Sequence, residues 1–391
     1  MKPHLLVFTL LTLAPAVNAE GDPLKLKYIG ITGELSYTGE WLSNTRGGLK
    51  TGTAYDGSLD LALTLDTRGA GLWDNGAFFL SAFEHHDNGK LTADYAGDLQ
   101  TVSNLEAPRG FRVYELWYEH RFFNDRLSAL AGLHDFNADF NVTENGQLFL
   151  NSSFGIAPDL SANARPSIYP MASFGTRLIW KLTDQFTLLS GVYDGNPGDP
   201  DTERHFSKIN FSSSNGTLIA NEIQWQAFEK TIIKAGQWIN TGVFTDLIDT
   251  DSEDTPLNRR NNYGYYLVMD HQLWSDGVQK DIAGFVQAGW APDHLNEVDY
   301  YTGAGLVFSG FVPGRNSDSF GIAAGRASIS DALRSVSARD HAETSLELTY
   351  QARISERLSL QPDLQYIINP GAEPGRKNAL IAGMRFNIVL Y

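Results

Sequence analysis

The segment "VYELWYEH", residues 113–120, places a tryptophan between two carboxylates. Its Val and aromatic residues favour a β-strand, in which successive side chains point to opposite faces. Carboxylates accept hydrogen bonds from hydroxyl groups, and an indole ring packs well against apolar C–H surfaces. The face that carries Glu115, Trp117 and Glu119 therefore has the chemistry to bind a neutral solute rich in hydroxyls. The opposite, apolar face carries Tyr114, Leu116 and Tyr118.

Charged and aromatic side chains of the same kind recur on the polar faces of other predicted strands. An Arg fork donates hydrogen bonds to hydroxyls and carboxylates accept them, so a mixed lining suits a polyhydroxylated solute. The alternative is that these charges pair with one another and only keep the surrounding space wet. The candidate solute-contacting residues are Glu115, Trp117, Glu119, Arg177, Trp238, Arg353, Asp363 and Arg385.

Composition and motifs exclude several classes of function. The chain of 391 residues has no cysteine, so it can form neither disulfides nor thiolate metal sites. Its net charge of −16 argues against nucleic acid as a partner, because phosphate binding needs clustered basic residues. The chain has no HExxH or GxSxG motif, and the adjacent pair His85 and His86 is poorly spaced to hold one metal ion. We therefore predict no enzymatic activity, no metal site and no cofactor.

The first nineteen residues, "MKPHLLVFTLLTLAPAVNA", have the features of a secretory signal peptide. A lysine precedes an apolar run from Leu5 to Leu13, and small residues lead to a predicted cleavage site after Ala19. Later segments do not approach the roughly 20 consecutive apolar residues of a membrane-spanning helix. We expect residues 20–391 to form one domain, which is either a secreted β-protein or a membrane β-barrel.

Alternation of polar and apolar residues is the dominant pattern of the chain. In "TSLELTYQARI", residues 344–354, the apolar side chains fall on one face and the polar ones on the other. Segments of about 10–12 residues suit tilted strands that cross a bilayer. We predict sixteen such strands, near residues 31–42, 57–67, 76–87, 111–122, 126–136, 172–182, 185–194, 217–228, 231–242, 262–273, 279–290, 300–310, 318–328, 342–354, 357–368 and 379–391.

The connections between these strands alternate in length. Long ones fall at 43–56, 87–110, 137–171, 195–216, 243–261 and 331–341, and short ones at 123–125, 183–184, 229–230, 274–278 and 355–356. Outer-membrane barrels have short periplasmic turns and long extracellular loops. We therefore predict an all-β, antiparallel transmembrane barrel of 16 strands in the bacterial outer membrane, with both termini periplasmic. A secreted sandwich or solenoid is the alternative.

The longest connection, residues 137–171, is too apolar for a solvated flap. Loops of this length are usually functional or disordered. We expect this third long loop to fold into the lumen and narrow it; an external cap on the other loops is the alternative. Its candidate constriction residues are Asp139, Phe140, Asn151 and Arg165.

Five segments resemble the carbohydrate-selective porin family of Gram-negative bacteria, the OprB type. They are "VYELWYEH" (113–120), "GLHDFNADF" (132–140), "LFLNSSFG" (148–155), "GVYDGNPG" (191–198) and "LSLQPDLQYIINPG" (358–371). The resemblance covers essentially the whole chain after the signal peptide. It implies a sixteen-stranded outer-membrane barrel with an infolded loop, through which glucose and related sugars diffuse past arginines, carboxylates and aromatic rings. Small neutral sugars, outer-membrane lipid and lipopolysaccharide are then the expected partners, and both a monomer and a homotrimer remain open.

Other functions remain open from the residues alone. A general porin or a porin for acidic solutes would have the same fold. A secreted carbohydrate-binding β-protein would also need the aromatic and carboxylate side chains. A barrel hydrolase acting on lipid would need a Ser–His pair on the outer wall, where His120 and His271 have the right parity but no evident serine partner.

Overall fold

The computed structural model describes residues 24–26, 30–203, 205, 209 and 211–391. The predicted signal peptide, residues 1–19, lies outside the described residues. One short strand, β1 (Leu24–Leu26), precedes a series of much longer ones. The long strands are β2 (Ile31–Arg46), β3 (Gly52–Asp66), β4 (Gly76–Asp87), β5 (Gly110–Phe122), β6 (Leu127–His134), β7 (Ser173–Lys181), β8 (Phe186–Asp194), β9 (Thr217–Phe228), β10 (Thr231–Thr250), β11 (Pro256–Ser275), β12 (Asp281–Trp290), β13 (Val298–Ser309), β14 (Ser319–Ile329), β15 (Ala342–Arg353), β16 (Leu358–Ile368) and β17 (Ala379–Val389).

Strands β2 to β17 form a closed antiparallel barrel. Each pairs with the next along the chain, and β17 returns to pair with β2. Every strand in the ring therefore has a hydrogen-bonded neighbour on both sides, as a bilayer requires, because no water is there to satisfy a free edge. The sixteen predicted strands are confirmed in number and order. The additional strand β1, which the sequence did not predict, pairs with β2, with Leu24 opposite Gly33.

The two faces of each strand follow the predicted alternation. On β15, Leu346 and Leu348 are exposed on the outer wall, whereas Ser345 and Glu347 are buried inside. Exposed aromatic residues such as Trp41, Trp180 and Tyr300 lie towards the strand ends. An aromatic girdle at this position matches the interface between lipid tails and water.

Two connections that we predicted to be long are mostly strand. The hairpin of β2 and β3 leaves only residues 47–51 as a turn, and that of β10 and β11 leaves only 251–255. The expectation of loops at 43–56 and 243–261 is therefore wrong. The two strands stay paired beyond residue 243, with Phe244 opposite Arg259. Arg259 also fastens the end of this hairpin, because its Nε lies 3.0 Å from Asp246 and its Nη2 lies 2.6 Å from Asp249.

Helical segments are short and lie in the connections. The α-helices are α1 (Pro158–Ser161) and α2 (Asp331–Val336), and a π-helical turn spans Thr92–Ala96. Single 3₁₀ turns span Phe136–Ala138, Asn145–Leu148, Ser152–Phe154, Asp293–Leu295 and Pro370–Ala372. In the part of the chain that the structure describes, none of the helices is long and apolar enough to cross a membrane.

Candidate transport passage

The 137–171 connection folds into the barrel, as predicted, and carboxylates of the wall hold its backbone. Asp270 of β11 accepts hydrogen bonds from the Asn145 amide and the Thr143 hydroxyl, both at 3.0 Å. Glu347 of β15 accepts from the amides of Leu150 at 2.7 Å and Asn151 at 3.0 Å. Charge-assisted bonds of this kind are stronger than neutral ones. These wall carboxylates therefore position the loop instead of lining open water.

The apolar side of the loop packs on the wall formed by β8 to β11. Phe140 stacks on Phe136 with ring centroids 4.9 Å apart, and both rings are fully buried. Trp238 of β10 points inward, as its parity predicted, but it lies in this cluster and is also fully buried. Placing Trp238 among the solute-contacting residues was therefore wrong for this conformation. The loop that we expected to narrow the lumen covers the ring.

A second connection, residues 88–109, also enters the barrel. Glu343 of β15 accepts hydrogen bonds from the amides of Leu99 at 2.8 Å and Gln100 at 3.0 Å. Gln365 of β16 donates to the Val102 carbonyl at 2.9 Å. This second infolding was not predicted from the sequence. The signal was a set of apolar residues in a long loop, which are buried in the structure: Leu91, Ala96, Val102 and Leu105.

The segment 113–120 forms β5, but the alternation breaks within it. Ser81 pairs with Glu115 whereas the next residue, Ala82, pairs with Val113, so Tyr114 is an extra residue in the ladder. Such a bulge turns the side chain of the extra residue. Tyr114 is buried inside the barrel, where its hydroxyl donates to Asp135 at 2.7 Å. The expectation that Tyr114 faces lipid is therefore wrong.

The residues of β5 from Glu115 onward keep their predicted sides. Leu116 is exposed on the outer wall, while Glu115 and Glu119 are buried inside. Trp117 also lies inside, stacked on Phe79 at 4.8 Å, and its indole N–H donates to Glu115 at 3.2 Å.

Two of the three arginines predicted to contact solute, Arg177 and Arg385, are engaged in ion pairs. Arg177 of β7 lies 2.6 Å from Asp139 in the loop and 3.2 Å from Glu119. Arg385 of β17 lies 2.8 Å from Glu40 and donates to the Ser103 hydroxyl at 3.0 Å. Both guanidinium groups are buried. The alternative of mutual pairing thus describes these arginines in this conformation.

The other predicted site residues are dispersed. Asp363 is buried and accepts from Gln365 at 3.0 Å, and the amide group of Asn151 is fully buried against Ser345. Arg165 stacks over the ring of Phe244, 4.2 Å from its centroid. Arg353 ends β15 beside the short turn at 355–356, so it lies at the opposite end of the barrel from the long loops.

Open space remains between the wall of β2 to β5 and the two infolded loops. This cavity has a volume of about 510 Å³ and extends from Glu34, near the start of β2, to Glu297 in the long connection after β12. Its lining contains four aromatic rings, Phe79, Phe83, Tyr114 and Tyr169. Six carboxylate residues also line it: Glu34, Asp60, Glu106, Glu115, Asp135 and Glu297.

Three of the rings form one cluster. The ring centroid of Tyr169 lies 5.1 Å from that of Phe83 and 5.8 Å from that of Tyr114. The Tyr169 hydroxyl donates to the Leu105 carbonyl at 3.2 Å, which links the two infolded loops.

In the loop at 88–109, burial raises the pKa of Glu106 to about 7, and the electrostatic effect of Asp56 acts in the same direction. The passage thus combines apolar ring surface with many hydrogen-bond acceptors.

A closed barrel of sixteen strands, with loops that narrow a polar lumen, defines an outer-membrane porin. The class is a channel and not an enzyme. A model of the family "Carbohydrate-selective porin, OprB family" matches residues 50–390, and the chain belongs to this family.

Individual relatives agree with this assignment. Porin B of Pseudomonas aeruginosa is 25% identical over 417 residues, which cover 94% of this chain and 89% of that protein. The high-pH structure of Pseudomonas putida OprB superimposes with a TM-score of 0.83 at 21% identity, covering 92% of this chain and 94% of that one. The outer membrane channel DcaP of Acinetobacter baumannii is more distant, with a TM-score of 0.54 at 8% identity, covering 92% and 97% of the two chains.

Proposed function

We propose that this porin admits glucose-like monosaccharides, and short oligosaccharides of them, into the periplasm through the passage beside β2 to β5. The observation that carries the proposal is the aromatic cluster of Phe83, Tyr114 and Tyr169, which lies among hydrogen-bond acceptors in the open part of the lumen. A pyranose has apolar C–H faces and a rim of hydroxyls, so it matches both features.

The acceptors suit hydroxyl donors. Glu115 accepts two fixed hydrogen bonds, from the Asp135 amide at 3.1 Å and the Trp117 indole N–H at 3.2 Å. Asp135 also accepts two, from the Tyr114 hydroxyl and the Asn137 amide, both at 2.7 Å. An ionised carboxylate has about four lone-pair sites. Each carboxylate can therefore accept a further hydrogen bond from a sugar hydroxyl, which replaces that hydroxyl's hydrogen bond to water.

Binding along this route must be weak. A channel has to release its solute as readily as it takes it up, so a deep binding site would slow transport. Rings and single hydrogen-bond acceptors provide several modest contacts along the path. This arrangement favours the passage of neutral sugars over uncharged solutes of equal size that lack a stacking face.

Swelling of proteoliposomes tests the proposal. We expect glucose to enter faster than a linear polyol of similar mass, such as sorbitol, because only the ring sugar can stack on Tyr169 and its neighbours. Equal rates for the two solutes would contradict a carbohydrate-specific passage. Failure of both to enter, in liposomes that conduct ions, would contradict the route itself.

A further inference from the structure

The charged groups of the lumen are divided between two regions. The six carboxylates of the passage face open space, whereas the basic groups of the wall are covered. Among the described residues that line the passage, none is lysine or arginine. This division affects how the passage treats the charge of a solute, and it does not depend on stacking against the aromatic rings.

The basic side chains inside the barrel are held by carboxylates and carbonyl groups of the wall and of the connections. Arg177 and Arg385 are paired with carboxylates, as described above. Lys234 of β10 donates to the Val142 carbonyl at 2.7 Å and lies 3.7 Å from Glu144. Arg112 is buried, donates to the Pro200 carbonyl at 3.0 Å, and is offset electrostatically by Glu203 and Asp201. These cations therefore contribute little positive field to the open passage.

Among the residues that the structure describes, none of the six carboxylates of the passage forms an ion pair with a lysine or arginine side chain. Asp60 accepts from the Ser58 hydroxyl at 2.9 Å, and Glu106 accepts from the Thr92 amide at 3.0 Å. These hydrogen-bond partners are neutral. His85 and Lys90 act on Asp60 and Glu106 electrostatically, but their own ion-pair partners are Asp56 and Asp201. A cleft lined by one sign of charge, with walls of low dielectric constant, concentrates the field and attracts ions of the opposite sign.

We propose that this passage selects its solutes by charge: it favours cations and cationic amino sugars, passes neutral sugars, and excludes sugar acids and sugar phosphates. The proposal for amino sugars and sugar acids rests on the proposed sugar channel, whereas the preference for small cations does not. The carboxylates that produce this field also accept hydrogen bonds from sugar hydroxyls, so the same lining both binds sugars and selects solutes by charge.

Reversal potentials in planar bilayers test the field directly. In a potassium chloride gradient at about pH 8, above the pKa of Glu106, we expect K⁺ to be roughly five- to tenfold more permeant than Cl⁻. This estimate assumes a potential of about one kT per charge in the passage, which acts oppositely on the two ions. A ratio near one, or a preference for Cl⁻, would overturn the proposal without reference to any variant or sugar.

Two variants with equal loss of charge locate the source of the field. Glu34→Gln combined with Asp60→Asn removes two charges from the passage, and we expect the K⁺ preference to fall at least severalfold. Glu253→Gln combined with Asp254→Asn removes two charges from the exposed tip between β10 and β11 and should leave it unchanged. An equal effect of both pairs would assign selectivity to the outer loops and overturn the proposal.

Swelling assays with three solutes of similar size test whether the charge of a sugar changes its rate of entry. We expect glucosamine to enter fastest, glucose next and gluconate slowest. Equal rates for all three would overturn the charge selection while leaving the sugar channel intact. If glucose does not enter, the proposed function fails, and the reversal potential still decides whether the passage prefers cations.

Discussion

At the scale of single residues, Tyr169 has the most direct proposed role, which is to provide a stacking surface for the sugar. Its ring is half-buried in the aromatic cluster and lines the passage. Replacing Tyr169 with Ala removes the stacking surface, which should weaken sugar binding by about 1 kcal/mol, the scale of one aromatic contact. That corresponds to a roughly fivefold higher sugar concentration for half-maximal block of the ion current.

Two controls separate stacking from other effects of this change. Tyr169→Phe keeps the ring but loses the bond to the Leu105 carbonyl, so it should retain most of the sugar affinity. Tyr300→Ala removes an exposed ring from the outer wall and should leave block unaltered. If Tyr169→Phe weakened block as much as Tyr169→Ala, the hydroxyl and its link between the loops would be the cause instead of stacking.

The sides of most individual residues followed from period-two alternation, and the exceptions have physical reasons. Glu115, Trp117 and Glu119 were placed inside correctly because the strand is regular from Glu115 onward. The side of Tyr114 was predicted wrongly because one extra residue in a strand ladder exchanges the inward and outward positions before it. Nothing in the local sequence indicates this bulge. Trp238 was placed on the right side but not under the loop, since parity carries no information about what covers a side chain.

At the scale of elements, the infolded loop depends on its carboxylate anchors. Asp270 receives four hydrogen bonds from residues 143–145, including one from the Asn145 amide side chain at 2.8 Å. Asp270→Asn keeps the size but replaces one acceptor oxygen with a donor group. We expect about 1–3 kcal/mol less stabilisation of the loop, the usual cost of leaving buried donors unpaired. Single-channel conductance should therefore rise and become noisier.

A matched substitution of a carboxylate that binds backbone amides away from the infolded loop serves as the control. Asp276 in the turn between β11 and β12 also accepts from backbone amides, at 2.9 Å from Val278 and 2.8 Å from Gln279. Asp276→Asn removes charge from a similar cap but lies far from the passage, so conductance should stay at the wild-type value. A quiet, unchanged conductance in Asp270→Asn would show that the loop holds its place without this anchor.

The sequence predicted one infolded element and missed the other. The 137–171 connection was recognisable because its apolar residues are many and its length is unusual. The 88–109 connection has fewer apolar residues, and its position depends on Glu343 and Gln365, which are distant in sequence. Which wall carboxylate meets which loop amide is a property of the closed barrel and cannot be derived from a single strand.

At the scale of the whole molecule, the infolded loops divide the lumen. The side of β8 to β17 is largely filled by packed loop, and the passage is displaced towards β2 to β5. The number of strands and their order were predictable, because every strand of a membrane barrel must separate lipid-facing from inward-facing residues. The displacement was not predictable, since it results from where loop residues pack.

The same displacement explains why family membership alone does not define the route. The chain is an OprB-family porin, yet two of the basic residues expected to contact solute, Arg177 and Arg385, are committed to ion pairs beside the loops. In the proposed route, the solute contacts the rings and carboxylates of β2 to β5 instead of these arginines. Both arginines lie at the border of the β2 to β5 wall, since Arg385 pairs with Glu40 of β2 and Arg177 pairs with Glu119 of β5, but neither side chain lines the open space.

Sugar-dependent block of the wild-type ion current tests the central claim most directly. Conductance of the detergent-folded protein in planar bilayers is measured while glucose and then maltose are added to one side. We expect each sugar to reduce the current saturably, because a sugar bound at the aromatic cluster occupies the passage through which ions are proposed to move. Ion current that is unaffected by either sugar, even at high concentration, would contradict a shared passage for ions and carbohydrate.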